Sequence, residues 1–342
     1  MQEIFTFESP DLFHNLCGIH DRRIAELEEL LDVELIPRGQ SFLVRSPVKL
    51  QIDRAVRFFE LLVEFHERRA LDSFDTRYLH RLYQNSDSSQ TTMFEAQTEN
   101  RSDEAAEKSK AIELLMRQTK IFTTYRGRPI HAKTIHQAGY IDSLLRNPIT
   151  IALGPAGTGK TFLSVVVACQ LLTSGEIEKI VLTRPAVEAG ESLGFLPGDM
   201  MQKVDPYLRP IYDALYECLG MEKVTSLIQA GRIEIAPLAF MRGRTLNDAF
   251  IVLDEAQNCT LPQLKMFLTR IGRNARMAVG GDVTQIDLKP GASGLIKLLD
   301  ILKDTEGVQI IRFGNEDIIR NPIVERILRA FESYESRTSH PD

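Results

Sequence analysis

Gly154-Pro155-Ala156-Gly157-Thr158-Gly159-Lys160-Thr161 is the segment whose residue types and spacing point most directly to chemistry. It matches the P-loop pattern at every fixed position. Glycines at these places let main-chain N–H groups turn inward and cradle phosphate oxygens. A helix starting near Lys160 would present its positive end to the anion. The pattern assigns the Lys160 ammonium to the β- and γ-phosphates and the Thr161 hydroxyl to Mg²⁺. Phe162 follows directly and is grouped with the loop as nucleotide-binding. An apolar strand precedes the loop and a helical pattern follows it, which is the context this chemistry requires. The competing reading is a glycine-rich turn that binds nothing.

A second element is Ile251-Val252-Leu253-Asp254-Glu255-Ala256-Gln257, a buried strand ending in two adjacent carboxylates. Strand ends face the ligand crevice in parallel sheets. Asp254 is therefore the second candidate Mg²⁺ residue, and Glu255 the candidate to polarise an attacking water. The bland alternative is a solvated acidic loop. A third strand ends in Gly280-Gly281-Asp282-Val283-Thr284-Gln285, where Gln285 could sense a γ-phosphate. Upstream, Gln137 precedes the P-loop by one helix and one strand, a position from which a side chain can read the edge of an adenine.

These residues need a frame that brings distant strand ends together. Nearly continuous apolar runs mark strands at Ile149–Leu153, Lys179–Thr183, Ile233–Ala236, Phe250–Leu253, Met277–Gly280 and Val308–Phe313. Such runs suit a parallel sheet covered by helices on both faces. Thr260-Leu261-Pro262-Gln263 reads as a capping box with proline in the first turn of a helix. Residues 1–84 form a separate pattern of strand, helix, strand, strand, helix. Val33–Ile36 and Ser41–Val44 are joined through Pro37-Arg38-Gly39-Gln40, and a long helix runs from Val48 to Leu71. Between the two lies 85–110, rich in Ser, Thr, Gln, Asn and Glu, which reads as a flexible linker. The expected domains are therefore 1–84, 85–110 and 111–342.

Composition narrows the function classes. Hydrophobic residues make up 43% of 342, enough for a large core, and the formal net charge of -6 argues against a surface coated in positive charge. The N-terminus lacks the basic opening and apolar stretch of a signal peptide, and no run approaches the length of a membrane span. The scattered cysteines, Cys17, Cys169, Cys218 and Cys259, read as reduced buried thiols of a cytoplasmic protein. The histidines show no metal-ligand spacing, and His131 and His136 read as structural or incidental. A GTPase would need an Asn-Lys-x-Asp guanine signal, and a small-molecule kinase a substrate lid; neither is evident.

Longer segments carry a family resemblance. Asp254-Glu255-Ala256-Gln257 with Gly281-Asp282-x-x-Gln285 looks like the ATPase core of superfamily-one helicases. The run from Thr183 to Asp199, Asp205-Pro206-Tyr207-Leu208-Arg209-Pro210, Met241-Arg242-Gly243-Arg244-Thr245 and Phe267-Leu268-Thr269-Arg270-Ile271-Gly272 resemble the PhoH family. The resemblance implies a RecA-like α/β core acting as a cytoplasmic ATPase on RNA, beside a metal-dependent endoribonuclease of rRNA maturation. It also implies a ring, of six copies, because one core lacks the second core from which helicases take an arginine. Arg242, Arg244, Arg270 and Arg320 are the candidates for that arginine, each with an ordinary surface role as its alternative. Arg184, Lys203 and Arg242 are candidates for RNA contact, against packing at an interface. The N-terminal region resembles a reduced KH module, with Gly18-Ile19-His20-Asp21 at its loop and Arg22 and Arg23 offsetting the charge of Asp21. A non-motor, ATP-gated module that assembles a ribonuclease complex is the alternative function.

Overall fold

The computed structural model describes residues 1–87, 120–185, 200–286 and 293–319, with single positions at 115 and between 323 and 331; side chains at 84–87 and 200–207 are excluded. Most of the expected linker, the segment 186–199, the Lys203 side chain and Arg320 lie outside the described residues. The chain divides into two compact units, Met1–Arg117 and Gln118–Asp342.

The first unit contains β1 (Gln2–Thr6), α1 (Pro10–Cys17), α2 (Ile24–Leu31), β2 (Glu34–Arg38), β3 (Ser41–Arg45), α3 (Lys49–Arg68) and α4 (Ser73–Asp87). Its antiparallel sheet has the order β1-β3-β2. Arg38 pairs with Ser41, so Gly39 and Gln40 form a two-residue turn, with Gly39 at φ 63°. The buried rings of Phe7, Phe42 and Phe59 lie 5.5–5.7 Å apart in its core. Two features differ from expectation. Helix α1 is additional, and its start is local chemistry: the Ser9 hydroxyl accepts from the Leu12 N–H at 3.2 Å, with proline in the first turn. The long helix expected to Leu71 ends at Arg68, and α4 begins afresh at Ser73.

The second unit opens with a short hairpin of β4 (Phe122–Thr123) and β5 (Pro129–Ile130), then α5 (Ile135–Arg146), β6 (Ile149–Leu153), α6 (Lys160–Ser174), β7 (Lys179–Arg184), α7 (Met200–Leu219), α8 (Met221–Gln229), β8 (Ile233–Pro237), β9 (Ala249–Leu253), α9 (Leu261–Leu268), β10 (Arg276–Gly281), α10 (Leu295–Leu302) and β11 (Val308–Arg312). The six long strands form one parallel sheet in the order β11-β6-β10-β9-β7-β8. This is an α/β, RecA-like arrangement. Every expected strand is present to within a residue at either end. Parallel pairing brings all their C-terminal ends to one edge, and β10 lies between β6 and β9. Strand β9 is buried along its whole length, and Phe267 of α9 packs in the cluster beneath it. The start of α9 is held by the Thr260 N–H donating to Gln263 Oε1 at 2.8 Å. Among the described residues no helix is long and apolar enough to cross a membrane.

Phe267 is fully buried under the sheet edge that carries Asp254. Phe267→Ala is expected to destabilise the second unit by about 3–5 kcal/mol, measured as a lower denaturant midpoint; a shift under about 1 kcal/mol would mean the site collapses without a cavity.

Candidate active site

The turn after β6 is possible only because of its glycines. Gly154 has φ 148°, and a Cβ there would stand 2.6 Å from the Cβ of Phe313 and 2.7 Å from its carbonyl oxygen. Gly157 and Gly159 both adopt φ 85°, where side-chain-bearing residues are strained. Gly159 caps α6, which starts at Lys160. The main chain of the loop is braced from outside: the Gly154 N–H donates to Gly281 O at 3.2 Å and the Ile319 N–H to Gly157 O at 3.0 Å.

Lys160 and Thr161 leave this loop in different directions. Lys160 Nζ donates to the carbonyl oxygens of Gly154 and Pro155 at 2.7 and 2.8 Å. Its ammonium is held below the usual lysine value by burial, and the carboxylates of Asp282, Asp254 and Glu255 oppose that shift. The Thr161 hydroxyl donates to Asp254 Oδ1 at 2.7 Å, joining residues 93 positions apart in the chain. Burial pushes the Asp254 carboxyl up, while Arg184 and the Thr161 hydrogen bond pull it down. A hydroxyl and a carboxylate oxygen side by side are hard donors suited to Mg²⁺.

Glu255 follows in the left-handed region, φ 54°. One carboxylate oxygen accepts from Arg184 Nη2 at 2.5 Å and the other from Gln257 Nε2. Gln257 Oε1 in turn accepts the Asp282 N–H at 3.0 Å, which ties the ends of β9 and β10 together. Asp282 is 5% exposed; one oxygen accepts from the N–H and hydroxyl of Thr284, and Oδ2 has no hydrogen-bond partner. A cavity of about 450 Å³ is lined by the loop from Ala156 to Phe162, excepting Thr158, together with Asp254, Glu255, Gly281, Asp282 and Gln285.

The expected residues thus divide. Lys160, Thr161, Phe162, Asp254, Glu255 and Gln285 meet at one cavity. Gln137 does not line it. It is 2% exposed, its Nε2 donates to Thr158 O at 3.0 Å and its Oε1 accepts the Lys133 N–H at 2.8 Å, so its amide braces the loop. The arginines also sit elsewhere. Arg244 grips Glu234 with both Nη atoms at 2.6 and 2.7 Å, which raises the arginine and lowers the glutamate. Arg270 donates to the carbonyls of Met266 and Arg244 at 2.9 and 3.0 Å. Arg242 is exposed on the turn after β8, four strands from β6. None of the three lines the cavity. Arg184, expected to face RNA, is folded onto Glu255 with its side chain 18% exposed. In the first unit Gly18 has φ 73° and Arg22 is exposed, whereas Arg23 donates to the main-chain and side-chain oxygens of Asn15 at 2.5 and 2.6 Å. Arg23 therefore closes α1 and is not free for a phosphate.

Two groups have roles that the sequence alone does not announce. Gln257 lies in Asp254-Glu255-Ala256-Gln257, but its role as a link between strand ends is tertiary. Pro210, Asp213, Ala214 and Glu217 of α7 wall the cavity. Their spacing of three, four and seven is one face of a helix, a signal that was present but is shared by any amphipathic helix.

The PhoH-like protein family matches residues 129–332. A PhoH-like protein of Synechocystis sp. is 52% identical over 227 residues, 66% of this chain and 69% of that protein. One of Bacillus subtilis is 52% identical over 218 residues, 64% of this chain and 68% of its own. Protein PhoH of Escherichia coli is 44% identical over 206 residues, 59% and 58% of the two chains. Among solved structures, a Sulfolobus solfataricus SWI2/SNF2 ATPase core in complex with double-stranded DNA is similar at 16% identity and a TM-score of 0.32, covering 52% of this chain and 44% of that one.

Gln137→Ala leaves the Thr158 carbonyl and Lys133 N–H without their partner, so a loss of about 1–3 kcal/mol is expected in denaturant unfolding. An unchanged midpoint would show that the brace contributes nothing.

Proposed function

The chain belongs to the PhoH-like protein family, and on that premise we propose that its P-loop core binds ATP with Mg²⁺ and hydrolyses it, coupling turnover to RNA. The observation that carries this reading is the Thr161–Asp254 hydrogen bond at 2.7 Å in the cavity that Lys160 and Glu255 also line. Inward-facing loop amides and Lys160 hold the β- and γ-phosphates. Thr161 and Asp254 would hold Mg²⁺, which neutralises phosphate charge when bound. Glu255, fixed from two sides by Arg184 and Gln257, orients a water for attack on the γ-phosphorus. Gln285 follows a strand end between the P-loop and Asp254, from which it senses the γ-phosphate.

The cavity has one lysine and five carboxylates among its lining side chains: Asp213, Glu217, Asp254, Glu255 and Asp282. A triphosphate there calls for further positive charge. That need supports a closed ring, taken as six copies, in which a neighbour supplies an arginine. Arg242 is the best of the described candidates, because Arg244 and Arg270 are engaged within their own chain. RNA binding is supported by the family resemblance and by the KH-like order from β1 to α3 in the first unit, β-α-α-β-β-α with sheet order β1-β3-β2. At that loop Arg22 is the available cation. Arg184 at the end of β7 holds Glu255, and an endoribonuclease of rRNA maturation is the proposed working partner.

Glu255→Gln should keep ATP binding and lose turnover by a factor on the order of 10²–10⁴, measured as phosphate release with and without RNA. Undiminished release would sink the water-orienting role. Absence of RNA stimulation in the wild-type chain would leave an ATP-gated assembly module in place of a motor. Sedimentation with ATP and Mg²⁺ should show a closed oligomer, and fully active monomers would overturn the ring.

A further inference from the structure

Helix α5 reaches the P-loop by two routes. Gln137 holds Thr158 O directly. The residue before it, His136, takes the second route through the segment that follows β11. That segment lies against the loop along its length: the Phe313 N–H donates to Leu153 O at 2.7 Å, Phe313 fills the space beside Gly154, and the Ile319 N–H donates to Gly157 O at 3.0 Å. Between those two anchors the chain is folded around Asp317. Its Oδ2 accepts the Gly314 N–H at 2.8 Å and faces His136 Nδ1 at 2.8 Å. Asp317 is 0% exposed, and its Oδ1 has no hydrogen-bond partner.

A carboxylate so removed from water is costly without a countercharge. Among the described residues, His136 is the cation paired with it. Among the described residues, the charged groups facing His136 are Asp317 and Glu316, the latter at 3.9 Å, both from the segment after β11, and the ring of Phe313 is an apolar neighbour.

We propose that His136 and Asp317 are positioning residues for the phosphate loop: the protonated imidazole holds Asp317, Asp317 holds the strap 313–319, and Ile319 holds Gly157. The effect on ATP rests on the nucleotide reading above; the strap itself does not. The hydrogen bond with Asp317 raises His136 above its ordinary 6.5, and the charges of Asp317 and Glu316 act in the same direction against burial. A raised folded value means the imidazolium contribution is complete below 6.5 and is lost as pH rises through the higher value. The strap therefore loosens, and the loop binds phosphates less tightly, on the alkaline side.

Two measurements on the full chain test this. The first is affinity for a fluorescent ATP analogue with Mg²⁺ from about pH 6 to about pH 9, which spans the titration of a raised histidine. Wild type should weaken roughly three- to tenfold as His136 loses its proton, the size expected for losing the charge on one hydrogen bond. His136→Asn keeps a neutral donor near the Nδ1 position, so it should bind at an intermediate level with no such slope. His136→Ala should bind weakly at every pH. The wild-type slope persisting in His136→Asn would overturn the proposal. The second is hydrogen-exchange protection of the Ile319 amide without nucleotide, corrected for intrinsic exchange. It should fall with pH in wild type and be flat in both variants; equal protection in all three at every pH would overturn the strap. If wild type binds no nucleotide while Ile319 protection still follows His136, the nucleotide reading fails and the strap stands.

Discussion

Burying Lys160, Asp254 and Asp282 together at one edge of an apolar sheet is the constraint on which the second unit depends. Each charge alone would be expensive to remove from water. Placed at the ends of β6, β9 and β10, they offset one another, and Thr161, Thr284 and the loop carbonyls supply hydrogen bonds. The strand order makes this possible. With β10 between β6 and β9, the three ends are adjacent, and their parallel sense turns all of them the same way.

Close main-chain approach follows from the same constraint. A Cβ at Gly281 would stand 2.6 Å from Leu295 Cδ2 and 3.3 Å from the amide of Gln257, and one at Gly154 would strike Phe313. Glycine at these places lets the phosphate loop, the acidic strand end and the segment after β11 close on one cavity. The bracing is therefore mutual: Gln137 and Ile319 hold the loop from one side, Gly281 from another. A loop with glycines at both bends would otherwise sample many conformations and bind anions at an entropic cost.

The electrostatics of the cavity bear on assembly. Asp213 and Glu217 extend the acidic lining onto α7, while Arg244 in the turn after β8 is held by Glu234 and Arg270 after α9 by main-chain carbonyls. A site with this balance gains from cations brought by its ligand or by another chain, which is the physical basis for the proposed ring.

The six strands of the sheet and the residues at their ends were legible in the sequence, because apolar runs of four to six residues and the Gly154–Thr161 pattern are local signals with local causes. So was the start of α9, where Thr260 and Gln263 sit one turn apart. Helix α1 is less legible: Ser9-Pro10 marks its start, but a helix of eight residues shows little more than two turns of periodicity. What only tertiary structure decided is who meets whom. Gln137 braces the loop and stays off the cavity, Arg184 turns to Glu255, Arg23 turns to Asn15, and His136 finds a buried Asp317 that stands 181 residues away in sequence. Residue type states what a side chain can bond to; strand order and packing choose its partner, because a buried polar group takes whichever complement the fold brings within about 3 Å.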